Sequence, residues 1–348
     1  MTALQAALFD ITALLLIAYA VFDGFDLGLG ALYPWVARND TERKALRSAI
    51  APVWDGNEVW LIIVGGVLFA AFPSVYAGVL SGFYLPFMLI VFALVVRAVS
   101  LGLHHGEAER PGLRTTGFFL GSLLPSFLFG LFAGNLIRGV SLSPAGDPIG
   151  GLGELFNPFA ILIGLVSVVM FANQGACWAA LKTHRGELHA RARKTREVTA
   201  WLLVALLVAA TIASYWEARN SLSQNAHHSL GWLAMVLLAV GIVYQLVVSR
   251  RPDDPLGRRD RAVFVASSAI IAGLVGIWAV GNYPVLVPAR NVPAHSLTAS
   301  GAAATRPALI ALLVIALVGV PMMLGYTVVV YRLFRGRSTI EDGGKESY

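Results

Sequence analysis

The sequence predicts an all-α, polytopic membrane protein of about nine transmembrane helices, and three observations carry that prediction. Of its 348 residues 57% are hydrophobic and only 13% are charged, about half the charged share of an ordinary soluble chain. Apolar runs long enough to cross a bilayer as helices recur along the chain. Basic residues also alternate from one connection to the next. Because the runs are continuous rather than alternating, an outer-membrane β-barrel is excluded.

The spans fall at about 8–35, 52–72, 75–97, 115–137, 156–181, 198–216, 229–249, 262–286 and 307–331. Let the first connection face the cytoplasm. The loops 38–47, 97–114, 182–196 and 250–261 and the tail 332–345 then hold 22 of the 26 Lys and Arg. The opposite side holds only Arg138, Arg219, Arg290 and Arg306. That asymmetry puts the N-terminus outside and the C-terminus in the cytoplasm. It also accounts for the net charge of +6, and nucleic-acid binding has no support. The opening MTALQAALFDITALLL lacks a basic n-region and a cleavage site, so it reads as a retained helix. Trp35, Trp216 and Trp232 near span ends fit an interfacial belt.

The chain reads as a single integral membrane domain over 1–348. Helices 1–4 occupy about 8–137, helices 5–8 about 156–286, helix 9 about 307–331, and 332–348 form a cytoplasmic tail. A weak echo recurs at an offset of 147. Leu8-Phe9-Asp10 matches Leu155-Phe156-Asn157, Asp26 meets Asn173, Gly28 meets Gly175, and Gly134-Asn135 meets Gly281-Asn282. It raises a four-plus-four helix repeat.

The stretch Arg38–Tyr84 carries the most chemistry. It runs from a charged turn into an apolar segment that opens with Asp55, Asn57 and Glu58. Upstream, Phe22–Gly30 (FDGFDLGLG) adds Asp23 and Asp26 late in the first span. A charge near the bilayer centre costs roughly 2.5–3.5 kcal/mol, so such groups usually have a task or a partner. Asp23/Asp26 and Asp55/Glu58 are i, i+3 pairs, each on one helix face. Spans 1 and 2 are antiparallel neighbours, which brings both pairs toward the cytoplasmic side, where four carboxylates could pass protons along. The competing reading has Asp55 and Glu58 capping a helix that starts near Pro52. Capping or a structural ion pair is preferred for Glu58, and function is preferred for Asp55 and Asp26, which are expected to lie deeper.

His104, His105, His184, His189, His227, His228 and His295 are all placed in loops or at loop edges. Membrane haems usually need axial His, sometimes Met or Cys. The span residues Met88, Met170, Met235, Met322 and Met323 pair with no histidine and read as apolar filling, so no haem is expected on this chain. His104-His105 read as exposed loop residues rather than a metal site. The single cysteine, Cys177, forms no intrachain disulfide or all-Cys metal site and reads as a small buried apolar residue. For Arg97, at the end of span 3, snorkelling is preferred over pairing with a carboxylate. Asn135, Asn173, Gln174 and Gln245 read as interhelical hydrogen-bonding groups, and the glycines of Phe22–Gly30 and Gly65-Gly66 as sites of close helix approach. Asn39–Arg47 reads as a short surface helix capped by Asn39 or Asp40.

Tyr19–Gly30 (YAVFDGFDLGLG), Arg38–Arg43 (RNDTER), Ile50–Leu61 (IAPVWDGNEVWL) and Gly65–Tyr84 closely resemble subunit II of the cytochrome bd-type quinol oxidases, the cytochrome bd / cyanide-insensitive oxidase family. Gly134-Asn135-Leu136, Asn157-Pro158, Gln174-Gly175, Gly186-Glu187-Leu188 and a last helix with Pro321 and Tyr326 extend the resemblance over nearly the whole chain. It is specific in the first 140 residues and looser after about 200. The resemblance implies two four-helix bundles plus one peripheral helix in a bacterial cytoplasmic membrane. It implies a heterodimer with subunit I, which carries two b-type haems, haem d and the quinol-oxidising loop. It implies quinol and O2 as substrates of the complex, no haem ligands on this chain, and room for a structural quinone and small accessory subunits. Asp55 matches an aspartate of the cytoplasmic proton pathway and Asp26 a membrane-embedded aspartate near it. Glu58 departs from the glutamine common at its position, so no role carries over to it. Two functions therefore stand side by side: the non-haem subunit of a quinol:oxygen oxidoreductase, and a stand-alone proton-coupled carrier.

Overall fold

In the computed structural model, which describes residues 1–102, 111–251 and 257–337, nine helices are long and apolar enough to cross a membrane. The first span is α1 (Ala3–Phe22) followed without a loop by α2 (Gly24–Val36). Thr2 starts it with a capping box, its hydroxyl accepting from the Gln5 N–H while the Gln5 side chain accepts from the Thr2 N–H at 2.8 Å. Asp23 sits between α1 and α2 with helical dihedrals (−85°, −17°). Backbone bonds Asp23 N→Tyr19 O and Leu27 N→Asp23 O, both 2.9 Å, carry the helix through the join. The glycines there do not open a helix break.

Next come α3 (Asp40–Ser48), capped by the Asn39 side chain as expected, then α4 (Trp54–Ala71), α5 (Pro73–Gly82) and α6 (Tyr84–Gly102). The expected span at 75–97 is thus corrected: it divides at Phe83, and the membrane-crossing part begins at Tyr84. Pro86 has no N–H to give the Gly82 carbonyl, so α5 cannot run on unbroken. Then follow α7 (Pro111–Arg138), the short α8 (Leu152–Leu155), α9 (Pro158–Lys182) and α10 (Glu187–Glu217). The chain continues through α11 (Arg219–His227), α12 (Ser229–Ser249), α13 (Arg258–Asn282) and α14 (Arg306–Leu333). The stretch read as a loop over 182–196 is largely the first three turns of α10. The span expected to reach 286 ends at Asn282, because residues 285–287 pair instead as β1 (Val285–Val287) with the antiparallel β2 (Leu297–Thr298).

α9 lies at the centre of the packing, against α2, α7, α10 and α13. Its crossing with α2 is backbone on backbone: a Cβ on Gly28 would fall 1.7 Å from the Phe171 carbonyl oxygen. A second tight crossing sets α7 on α6, where a Cβ on Gly121 would meet the Arg97 backbone nitrogen at 2.7 Å. At one end of the bundle the basic segments converge. Arg191 of α10 pairs with Glu42 of α3 and donates to Val36 O at 3.0 Å, while Trp178 donates to Ala49 O at 3.1 Å. Lys182 donates to the carbonyls of Phe334 (2.5 Å) and Gly336 (3.2 Å), tying down the end of α14. Trp35, Trp216 and Trp232 are exposed, as a belt requires.

Candidate functional site: a buried acidic cluster

The four acids that the sequence singles out lie on two elements, the α1–α2 join and the first turns of α4. Asp23 and Asp26 are completely buried. Asp55, in the first turn of α4, is exposed, and Glu58, one turn on, keeps a quarter of its side chain exposed. The expectation that Asp55 lies deep is therefore corrected: exposure falls from Asp55 through Glu58 to the two aspartates. Asp55 stands at the helix start because α4 begins only at Trp54, after turns at residues 49–53.

Arg97 is the residue whose place the sequence misjudged. It does not snorkel: it is fully buried and binds Asp23 with both terminal guanidinium nitrogens, Nη2 to Oδ1 at 2.5 Å and Nη1 to Oδ2 at 3.3 Å. Its Nη2 also lies 2.9 Å from Glu58 Oε1. Snorkelling needs a polar surface within reach, and the close crossing at Gly121 instead packs α7 over α6 at this turn. Glu58 is thus an ion-pair partner and not a helix cap.

Asp26 lies one turn beyond Asp23. Asn57 of α4, itself 2% exposed, donates Nδ2 to Asp26 Oδ2 at 2.7 Å. The other carboxyl oxygen, Oδ1, has no hydrogen-bond partner among the described residues. Tyr331 of α14 donates to Asn57 Oδ1 at 3.0 Å. Aromatic rings wall the cluster: Phe25 stacks on Trp178 with centroids 4.2 Å apart, and Phe22 stacks on Trp60 at 5.6 Å. Tyr331 was not legible beforehand, since a tyrosine at the end of an apolar span reads as an interfacial residue.

The span amides bond across helices as expected. Asn135 donates to Leu155 O at 2.8 Å and accepts from Asn157 at 3.0 Å. Gln174 donates to Val21 O at 3.0 Å. Gln245 donates to Asn173 Oδ1 at 2.8 Å, and Asn173 to Thr199 Oγ1 at 3.1 Å.

A second buried ion pair was missed. Arg196 Nη1 donates to Asp260 Oδ1 at 2.9 Å, and His189 Nε2 lies 3.8 Å from Asp260 Oδ2. Both charges sit in what reads as loop sequence, because helices α10 and α13 begin well before their apolar parts. The loop placement of His189 is corrected accordingly: it is 2% exposed in the first turn of α10. His104 and His105 lie outside the described residues.

A haem would need an axial His, Met or Cys. The ring nitrogens of buried His189 face Thr183 and Asp260, and Cys177 is buried against Gln245. Among the described residues no three His, Cys, Asp or Glu side chains gather to hold a metal. His189 and Cys177 are taken up by these protein contacts and do not fit the axial positions of a haem.

The family described as cytochrome bd terminal oxidase subunit II matches residues 4–334. The chain belongs to that family. It is 34% identical to the cytochrome bd-I ubiquinol oxidase subunit 2 of Escherichia coli (strain K12), covering 95% of this chain and 94% of that protein. It is 27% identical to the cytochrome bd ubiquinol oxidase subunit 2 of Bacillus subtilis (strain 168), covering 97% of each. The fold matches a chain of the bd oxidase from Geobacillus thermodenitrificans with a TM-score of 0.77, at 18% identity, over 96% of this chain and 99% of that one. The chain is therefore a membrane subunit of a terminal oxidase, an oxidoreductase complex.

Proposed function

We propose that this subunit pairs with a haem-bearing subunit I in a bacterial cytoplasmic membrane, stabilises it, and feeds cytoplasmic protons toward the site where electrons from quinol reduce O2 to water. The curated relatives are named as ubiquinol oxidase subunits, which supports quinol as the electron donor. The two b-type haems and haem d belong to subunit I in this reading, and they supply the electron transfer and oxygen chemistry. The N-terminus is outside and the C-terminus cytoplasmic, on the strength of the basic-residue asymmetry.

One observation carries the proton reading: a line of carboxyls whose exposure falls from Asp55 through Glu58 to Asp23 and Asp26. Asp55 takes protons from water at the start of α4. Glu58, i+3 on the same face, relays them inward. Asp23 is committed to Arg97 by two hydrogen bonds, so it fixes the guanidinium and offsets its charge. Asp26 then holds the transferred proton, with Oδ2 occupied by Asn57 and Oδ1 left for exchange. The aromatic walls keep bulk water out.

Purification in mild detergent tests the assembly. A Soret band and a companion subunit are expected, and a colourless chain that folds and transports protons alone would establish the carrier reading instead.

A further inference from the structure

Tyr331 brings a hydroxyl from the last helix to the acidic cluster. Its ring meets Phe22, Phe25 and Trp178 edge-on, with centroids 5.9, 6.3 and 6.0 Å away. Five residues earlier, Tyr326 packs over Gly56, where a Cβ would stand 3.1 Å from its ring. Two contacts thus seat α14 on the first turn of α4, and they set Tyr331 Oη 3.0 Å from Asn57 Oδ1. The chain Tyr331–Asn57–Asp26 is then continuous, ending at a completely buried carboxyl.

The chemistry of an amide gives this chain a purpose. Asn57 offers one acceptor oxygen and one donor nitrogen. Facing a carboxylate it must present its N–H, which leaves Oδ1 in need of a donor. It keeps that orientation when Asp26 takes its proton on the free oxygen, Oδ1, because Oδ2 then still accepts. The Tyr331 phenol hydroxyl supplies that donor to Asn57 Oδ1. We infer that Tyr331 is a positioning residue of the proton route: by donating to Asn57 Oδ1 it holds the Asn57 N–H on Asp26 Oδ2 in both protonation states, so that the proton comes and goes at Asp26 Oδ1 alone.

This inference rests on the reading of Asp26 as a proton-carrying acid. The groups facing Asp26 are Asp23 from its own span, Asn57 and Glu58 from α4, Arg97 from α6, and Tyr331 from α14. Tyr331 gives up no proton over the cycle, and its O–H stays on Asn57 Oδ1.

The test uses the intact oxidase turning over quinol. Tyr331→Phe removes one oxygen atom and keeps the ring packing. We expect a roughly tenfold lower kcat for oxygen consumption, the cost of one buried unpaired group, with the KM for quinol and the haem spectra unchanged. Combined with Asn57→Leu, Tyr331→Phe should add no further loss, because Tyr331 acts through Asn57. Asn57→Ser replaces the leucine variant if that one does not assemble. Wild-type turnover in Tyr331→Phe, or losses at the two positions that multiply, would overturn the inference. Asp26→Asn is measured beside them. If it slows turnover while Tyr331→Phe does not, the role of Tyr331 is refuted and the proton route stands; if Asp26→Asn turns over normally, the proton route is refuted and the role of Tyr331 with it.

Discussion

Asp23 and Arg97, 74 positions apart in the chain, close a two-point ion pair inside the helix bundle with neither side chain exposed to solvent. The pair joins the first span to α6, and Glu58 of α4 shares the same guanidinium. Three spans are thus held by one cation. Breaking a buried pair by removing one partner leaves a naked charge and costs about 3–5 kcal/mol.

Arg97→Met is accordingly expected to leave Asp23 unpaired and to cost about 3–5 kcal/mol. Recovery of the assembled complex after detergent extraction reads the effect. A variant that assembles with wild-type thermal stability would show that the pair contributes nothing.

Asp55→Asn leaves the shape of the first turn of α4 unchanged and removes the acid that water reaches. Oxygen consumption is expected to fall while the haem spectra stay intact. Full turnover in this variant would reduce Asp55 to a helix-start residue favoured by the dipole.

The crossing of α2 and α9 leaves no room at Gly28, where a Cβ would overlap the Phe171 carbonyl. Gly28→Val should force the two helices apart and cost about 1–3 kcal/mol or more, read as a lower Tm and a lower yield of complex. Unchanged stability would contradict the close crossing.

Glu42, on the surface helix α3, contributes a pH-dependent term. Burial opposes its charge, but the Arg38 N–H, donating at 2.8 Å, and Arg191 outweigh that and hold the carboxyl below its ordinary value of 4.5. A depressed folded-state pKa means that stability is present above the ordinary value and lost as pH falls below it. Glu42→Gln should therefore lower Tm at neutral pH, by the equivalent of roughly 1.5–3 kcal/mol. The difference should close on acidification below that value, and a difference independent of pH would rule the ion pair out as its source.

Much of this architecture was legible because lipid imposes its own grammar. Apolar length gave nine spans, and Asp23, Asp26 and Glu58 marked the cluster, since charge in an apolar span needs a partner. Which partner could not be read. Arg97 sits at a span end where snorkelling and pairing look alike in sequence, and only the Gly121 crossing decides between them. The depth of Asp55 turned on where α4 begins, a boundary that a run of apolar residues blurs. Tyr331 reaches Asn57 across 274 positions, a distance over which no local pattern speaks. The Arg196–Asp260 pair stayed hidden for a related reason: charged sequence reads as loop, although α10 and α13 begin inside it.

Proton uptake by the intact oxidase in vesicles, followed with a pH indicator on the side bearing α3, tests the central claim most directly. With Asp26→Asn, quinol-driven uptake and oxygen consumption should both fall by about tenfold or more, as loss of a positioned proton-transfer group demands, while the haem spectra persist. Uptake and turnover at wild-type rates in that variant would show that protons reach oxygen by another way.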